Sequence, residues 1–237
     1  MISARYWFTM LTYVLMHLSG FVTIPLLVIG LNLNPIDALV YGQLAAFILA
    51  TIISLYLLRT DIINELKNSG SSFGKIILWT IIGIFLAYFA QMLAALIELN
   101  IFGIDPGSEN TASIMNIIDQ APIFLIIPAV FAPILEELIF RKIIFGTLHK
   151  KMHFFWAAIL SSLAFGIIHL DLTHLLIYTG MGIVFSYLYV KTKTIIVPIL
   201  VHMGMNSITT IAQLLIDVDE LERLQNELSS IINLIGG

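Results

Sequence analysis

Apolar residues run through this chain in long stretches, and polar residues gather in the short gaps between them. A helix that crosses a bilayer needs about 20 mostly apolar residues. Stretches of that kind occupy residues 6 to 30, 38 to 58, 76 to 98, 116 to 147, 154 to 170, 174 to 190 and 195 to 216. The gaps carry turn chemistry: Asn32, Asn34 and Pro35, then Asn68 to Gly74, then Asp105, Pro106 and Gly107. The pattern predicts an all-α fold, a polytopic transmembrane helical bundle of about seven spans, bounded by six and eight. Residues 1 to 237 read as a single membrane domain, without internal repeat or low-complexity tract. The first stretch is too long for a signal-peptide core and lacks a small-residue cleavage site, so it reads as a span. The fourth contains Pro122, Pro128 and Pro133. Proline removes a backbone donor and bends a helix. Lipid tolerates this only where protein or water satisfies the freed groups. That predicts a kinked fourth helix buried within the bundle.

Composition supports the membrane reading. Hydrophobic residues make up 59% of the chain and charged residues 11%, against about 25% charged in soluble domains. The chain has no cysteine, which excludes disulfides, cysteine-ligated metals and a cysteine nucleophile. The formal net charge of -4 gives no sign of nucleic-acid binding. Arg5, Arg59, Lys67, Lys75, Arg141, Lys142, Lys150, Lys151, Lys191 and Lys193 fall in alternate connections and so fit one side of the membrane, and the intervening loops hold no Lys or Arg. The positive-inside rule then places the amino terminus in the cytoplasm, consistent with an integral protein of the cell membrane. Seven spans put the carboxyl end outside. The tail, 217 to 237, has an amphipathic pattern suited to a membrane surface.

Ionisable residues within spans are costly and mark functional sites by default. The fourth span holds Glu136, Glu137 and Arg141, the fifth His169, and the seventh His202 and Asn206. Counted at about 1.5 Å per residue from the nearest turn, these groups fall at similar depths on three helices. Glu137 and Arg141 are four apart and share a helical face, which predicts an ion pair. Glu136 points about 100° away and is free for another partner. His202 and Asn206 share a face, as do Phe165 and His169. Phe165 reads as packing. His17, Gln43, Gln91 and Glu98 read as structural, Asp171 as a cap for the sixth span, and Gly180 and Gly182 as sites of close helix approach.

These residues carry a family resemblance. Glu136-Glu137-Leu138-Ile139-Phe140-Arg141 resembles the EExxxR motif of the CAAX-protease and bacteriocin-processing (Abi) family, Phe165 to His169 its FxxxH motif, and His202 to Asn206 its HxxxN motif. The resemblance covers about residues 115 to 210, the expected catalytic core. It implies an intramembrane endopeptidase related to the Ras-converting CAAX endopeptidase, acting on a membrane-associated protein or peptide. Glu136, Glu137, Arg141, His169, His202 and Asn206 become the expected catalytic set. Glu136 and His169 would activate a water, and His202 and Asn206 would bind the oxyanion. No cofactor is certain. If zinc is bound, Glu136, His169 and His202 are the expected ligands, with an open fourth position. The absence of HExxH and the amide of Asn206 favour a metal-free, glutamate-activated water. A non-catalytic immunity or scaffold protein of the same family is the main alternative, and a proton-coupled transporter the third.

Overall fold

A computed structural model describes residues 3–105 and 107–215. The amphipathic reading of 217–237 lies outside the described residues. Eight helices account for the rest, and no strand occurs among the described residues. They are α1 (Ala4–Leu31), α2 (Pro35–Asn68), α3 (Phe73–Phe102), α4 (Glu109–Gln120), α5 (Pro122–His149), α6 (Phe154–Ile167), α7 (Leu175–Thr192) and α8 (Ile196–Leu215). A 3-10 turn, Leu172–His174, leads into α7.

Local chemistry sets the boundaries. Asn34 accepts a hydrogen bond from the Asp37 amide, and Pro35 occupies the first helical position of α2, where its missing N–H costs nothing. Ser72 caps α3 in the same manner. Gly103 ends α3 in a left-handed conformation, φ +68°, that glycine adopts without strain.

Five helices are long and apolar enough to cross a bilayer: α1, α2, α3, α5 and the stretch Leu172–Thr192. The apolar α6 is shorter, 14 residues, or about 21 Å against a hydrocarbon core of about 30 Å. With α8 the bundle has about seven spans. Helices α1 and α2 form an antiparallel hairpin, while α3 packs on α7 and α8, and α6 on α7. Helix α5 lies in the middle and touches α1, α2, α6, α7 and α8. Large apolar side chains on α1 and α3, such as Phe21, Ile29 and Phe85, remain exposed. In lipid such faces cost nothing, because hydrocarbon is as apolar as they are.

The fourth span departs from its predicted limits. Residues 116–120 belong to a separate helix, α4, and the span begins at Pro122. Ala121 is extended, φ −146° and ψ 87°, because a following proline disfavours the helical conformation of the residue before it. The predicted irregularity is present in two π-helical stretches, Ile127–Phe131 and Glu137–Phe145. Neighbouring helices satisfy carbonyls within them. Asn206 on α8 donates to the Pro128 carbonyl at 2.9 Å, and Ser161 on α6 donates to the Phe140 carbonyl at 2.5 Å. Irregular backbone thus persists at membrane depth because protein side chains replace the lost partners. Such π-turns collect at functional sites, and here they frame Glu136 and Glu137.

Candidate active site

The second π-turn starts at Glu137, so the two adjacent glutamates face different surroundings. Glu137 and Arg141 form the expected ion pair, Arg141 Nε to Glu137 Oε2 at 3.2 Å, with both side chains fully buried. Among the described residues the remaining guanidinium nitrogens of Arg141 meet no hydrogen-bond acceptor. They meet aromatic faces instead: the guanidinium carbon lies 4.2 Å from the centre of the Phe165 ring and 5.1 Å from that of Phe185. Cation–π attraction is strongest in such desolvated settings. Gly182 on α7 makes room, since a Cβ there would lie 3.0 Å from Arg141 Nη2 and 2.7 Å from Ser162. The expected close approach at Gly180 and Gly182 is present: Gly180 lies against the α3 backbone at Ala90.

His202 joins the two glutamates. Its Nδ1 lies 3.0 Å from Glu137 Oε1, and its Nε2 lies 3.7 Å from Glu136 Oε2. The imidazole stacks on Phe185, with ring centres 4.9 Å apart and planes at 24°. Phe165 meets its edge at 5.7 Å. Glu136 keeps 12% of its side-chain surface open, whereas Glu137 keeps none. Glu136 is therefore the carboxylate that a substrate or water can reach. Asn206 is half-buried, and one of its amide hydrogens is committed to Pro128. An amide carries two N–H donors, so the other is free for a ligand.

His169 lies between Phe165 and Tyr178. Its Nδ1 donates to the Phe165 carbonyl at 2.7 Å, which leaves Nε2 as the free ring nitrogen. Phe165 meets the His169 edge at 4.7 Å and is itself 1% exposed. The expected packing role of Phe165 holds, with the added part of a roof over Arg141. Among the described residues His169 forms no ion pair with either glutamate, though Glu136 is among its charged neighbours. The six predicted residues thus line one region, Glu136, Glu137, Arg141 and His202 in a connected cluster, with His169 and Asn206 at its margins.

Among the described residues no three His, Asp or Glu side chains converge as metal ligands. His202 Nδ1 is held by Glu137 while its Nε2 lies 3.7 Å from Glu136 Oε2, so Glu136 and His202 remain the pair that would hold a zinc ion if one binds.

Several neighbours escaped the sequence reading. Helix α1 brings Tyr13 against Phe140, with rings 6.2 Å apart, and Tyr13 packs on His17 at 4.7 Å. Helices α1 and α5 run in opposite senses, so one turn beyond Tyr13 lies opposite one turn before Phe140. That sets His17 opposite Glu136, which is a charged neighbour of both Tyr13 and His17. The lone His17 had no motif to mark it. Glu98 is also more than an isolated buried acid. Its Oε1 accepts from the Leu176 and Ile177 amides, and its Oε2 meets His174 Nδ1 at 2.9 Å. Glu98 therefore caps α7, correcting the cap expected from Asp171. Asp171 accepts from the Ser108 hydroxyl at 2.6 Å instead. These partners are 63 to 79 residues apart, beyond the reach of local spacing.

Comparison with known proteins identifies the family. The model of the Type II CAAX prenyl endopeptidase Rce1-like family matches residues 118–208, the segment carrying all six residues. The "Putative membrane peptidase YdiL" of Bacillus subtilis (strain 168) is 42% identical over 236 residues, covering 96% of this chain and 97% of that protein. The "Membrane-embedded CAAX protease MroQ" of Staphylococcus aureus (strain USA300) is 34% identical over 228 residues, covering 89% of this chain and 91% of that protein. No solved structure matches. With both relatives aligned along nearly their whole length, this chain belongs to the Rce1-like CAAX family of membrane proteases.

Proposed function

We propose that this chain is an intramembrane endopeptidase that hydrolyses a peptide bond of a membrane-associated protein or peptide with a water activated by Glu136. It would sit in the cell membrane with its amino terminus in the cytoplasm. One observation carries the reading: of two adjacent carboxylates on the same imidazole, Glu136 is open and Glu137 is sealed onto Arg141. The open one is available for proton transfer, and the sealed one holds His202.

In this reading Glu136 takes a proton from water as the oxygen attacks the substrate carbonyl carbon. His169, whose Nδ1 is bound to the Phe165 carbonyl and which has Glu136 as a charged neighbour, would share that water through Nε2. The tetrahedral oxyanion receives hydrogen bonds from the free Asn206 N–H and from His202 through Nε2–H. The proton then passes to the leaving nitrogen from Glu136 or His169. The C–N bond breaks, giving a carboxylic acid and an amine. No step is routed through a metal.

Glu136→Gln tests the proposal, because it keeps shape and hydrogen bonding but removes the basic carboxylate. Peptides released from membranes holding the wild-type chain and absent with Glu136→Gln identify the scissile bond. A positioned base contributes about 10²–10⁴ in rate, so the Gln variant should insert normally and cut slower by that factor. Equal cleavage by the two proteins would remove the base role. A wild-type cellular phenotype without cleavage would point to the immunity or scaffold alternative.

A further inference from the structure

Among the described residues His169 and Asn206 bond to none of the other proposed site residues; Asn206 is held by the Pro128 carbonyl, and something else must hold the His169 ring. Its Nδ1–H···O=C bond to Phe165 fixes one atom and still lets the ring tilt about that bond. The face of the ring lies on Tyr178 of α7, with centres 4.2 Å apart and planes at 25°. Of the His169 ring contacts this is the nearly parallel one, since Phe165 meets the ring edge-on at 72°. Tyr178 is 8% exposed and is anchored at its far end. Its hydroxyl lies 3.2 Å from Ser108 Oγ, and Ser108 donates to Asp171 Oδ2 at 2.6 Å.

The anchor is itself braced. Ser108 is the N-cap of α4 and accepts from the Thr111 amide. The adjoining Gly107 carbonyl meets His174 Nε2 at 2.7 Å, and the other nitrogen of His174 is held by Glu98. The connection between α3 and α4 is thereby fastened to the start of α7, behind Tyr178. Helix α7 approaches α6 closely at this level, because a Cβ on Gly166 would lie 2.6 Å from Leu175 and 3.3 Å from Tyr178 Cβ. Little slack remains for the Tyr178 ring to move away from His169.

We propose that Tyr178 is the positioning residue of His169. Its ring holds the imidazole plane so that Nε2 points into the site, and the Ser108–Asp171 pair sets the angle of the tyrosine. The assignment rests on the reading above, in which His169 serves the reaction, and it adds the residues outside the three motifs that make His169 effective. Tyr178 touches no reacting atom in this scheme and acts only through His169.

A double-mutant cycle tests it, using an internally quenched peptide built on the scissile sequence found with Glu136→Gln, cut in detergent micelles. Tyr178→Leu should lower kcat about 10²-fold, the usual effect of a small misplacement of a reacting group, with KM little changed. In a His169→Ala background the same change should add nothing, because a positioning residue has no effect once its client is gone. Tyr178→Phe keeps the stacked ring and loses the anchor, so it should lose only about 2–10-fold, as for one net hydrogen bond. Ser108→Ala should match Tyr178→Phe, and the double variant should be no slower than either alone. Those last variants leave the ring in place, so the cycle remains readable if Tyr178→Leu does not fold. Equal loss from Tyr178→Leu with and without His169 would overturn the positioning role while leaving the proposed mechanism standing, as would wild-type kcat in Tyr178→Leu. Full activity in His169→Ala would overturn both.

Discussion

Residues 136 and 137 are chemically identical, and their surroundings separate them. Glu137 has lost all exposure and gained Arg141 and His202, while Glu136 keeps an opening. Removing one partner of a buried pair strands the other charge, at a cost of about 3–5 kcal/mol. Arg141→Ala should therefore lower the unfolding midpoint in detergent more than Arg141→Lys does. Lysine keeps the charge but loses the flat group between Phe165 and Phe185. If Arg141→Ala and its combination with Glu137→Ala both melt like wild type, the pair is not structural. The metal question is also testable at this scale, at the His202 imidazole between Glu136 and Glu137. Purified active protein should keep its activity in strong chelators and hold no stoichiometric metal by elemental analysis. One zinc per active chain, lost together with activity, would reverse that expectation. The ion pair was legible in the sequence because a four-residue spacing within one helix is local. Tyr178, Phe185, His17 and Glu98 were not, because their partners lie on other helices and only packing brings them together.

At the scale of elements, α5 is held by its neighbours midway along and toward its carboxyl end. Midway along, Asn206 and Ser161 take up carbonyls of the π-turns. Near its end Lys142 is buried, and Glu65 of α2 meets its Nζ at 2.6 Å. Glu65 also accepts from the Tyr189 hydroxyl at 2.5 Å and from the Ile195 amide at 3.2 Å. One carboxylate thus ties α2 to α5, α7 and the start of α8. Glu65→Ala should cost about 1–3 kcal/mol, the penalty for orphaning buried hydrogen-bonding partners, read as a fall in thermal midpoint. Adding Lys142→Met should recover part of it by removing the stranded charge. A Glu65→Ala protein as stable as wild type would show that these contacts are replaceable by water. The prolines made the irregularity of α5 readable in advance. They did not reveal α4, because Ala112 to Ile118 is apolar enough to extend the run and the break rests on one extended residue, Ala121.

For the molecule as a whole, the fold gathers one set of loops at one end. Arg5 at the start of α1 meets Asp61 near the end of α2 at 3.4 Å. The Glu65 contacts bring the ends of α2, α5 and α7 to the same level. Lys67, Lys75, Lys150, Lys151, Lys191 and Lys193 flank those helix ends. The opposite end, around Gly103 to Asp105 and Leu170 to Leu172, carries no Lys or Arg. The alternation of basic and neutral loops read from the sequence therefore corresponds to two real ends of the bundle. Assigning them to sides of the membrane rests on the positive-inside rule, by which short basic loops stay cytoplasmic. The absence of native cysteine makes this measurable with a membrane-impermeant thiol reagent. Asn68 and Asp105 are both exposed and lie at opposite ends. In intact cells Asp105→Cys should label and Asn68→Cys should not; inverted membrane vesicles should give the reverse. Labelling of both from one side would contradict the bundle itself, because α3 runs between them. Labelling of Asn68→Cys alone in intact cells would keep the bundle but turn it over, and with it the side from which a substrate reaches Glu136.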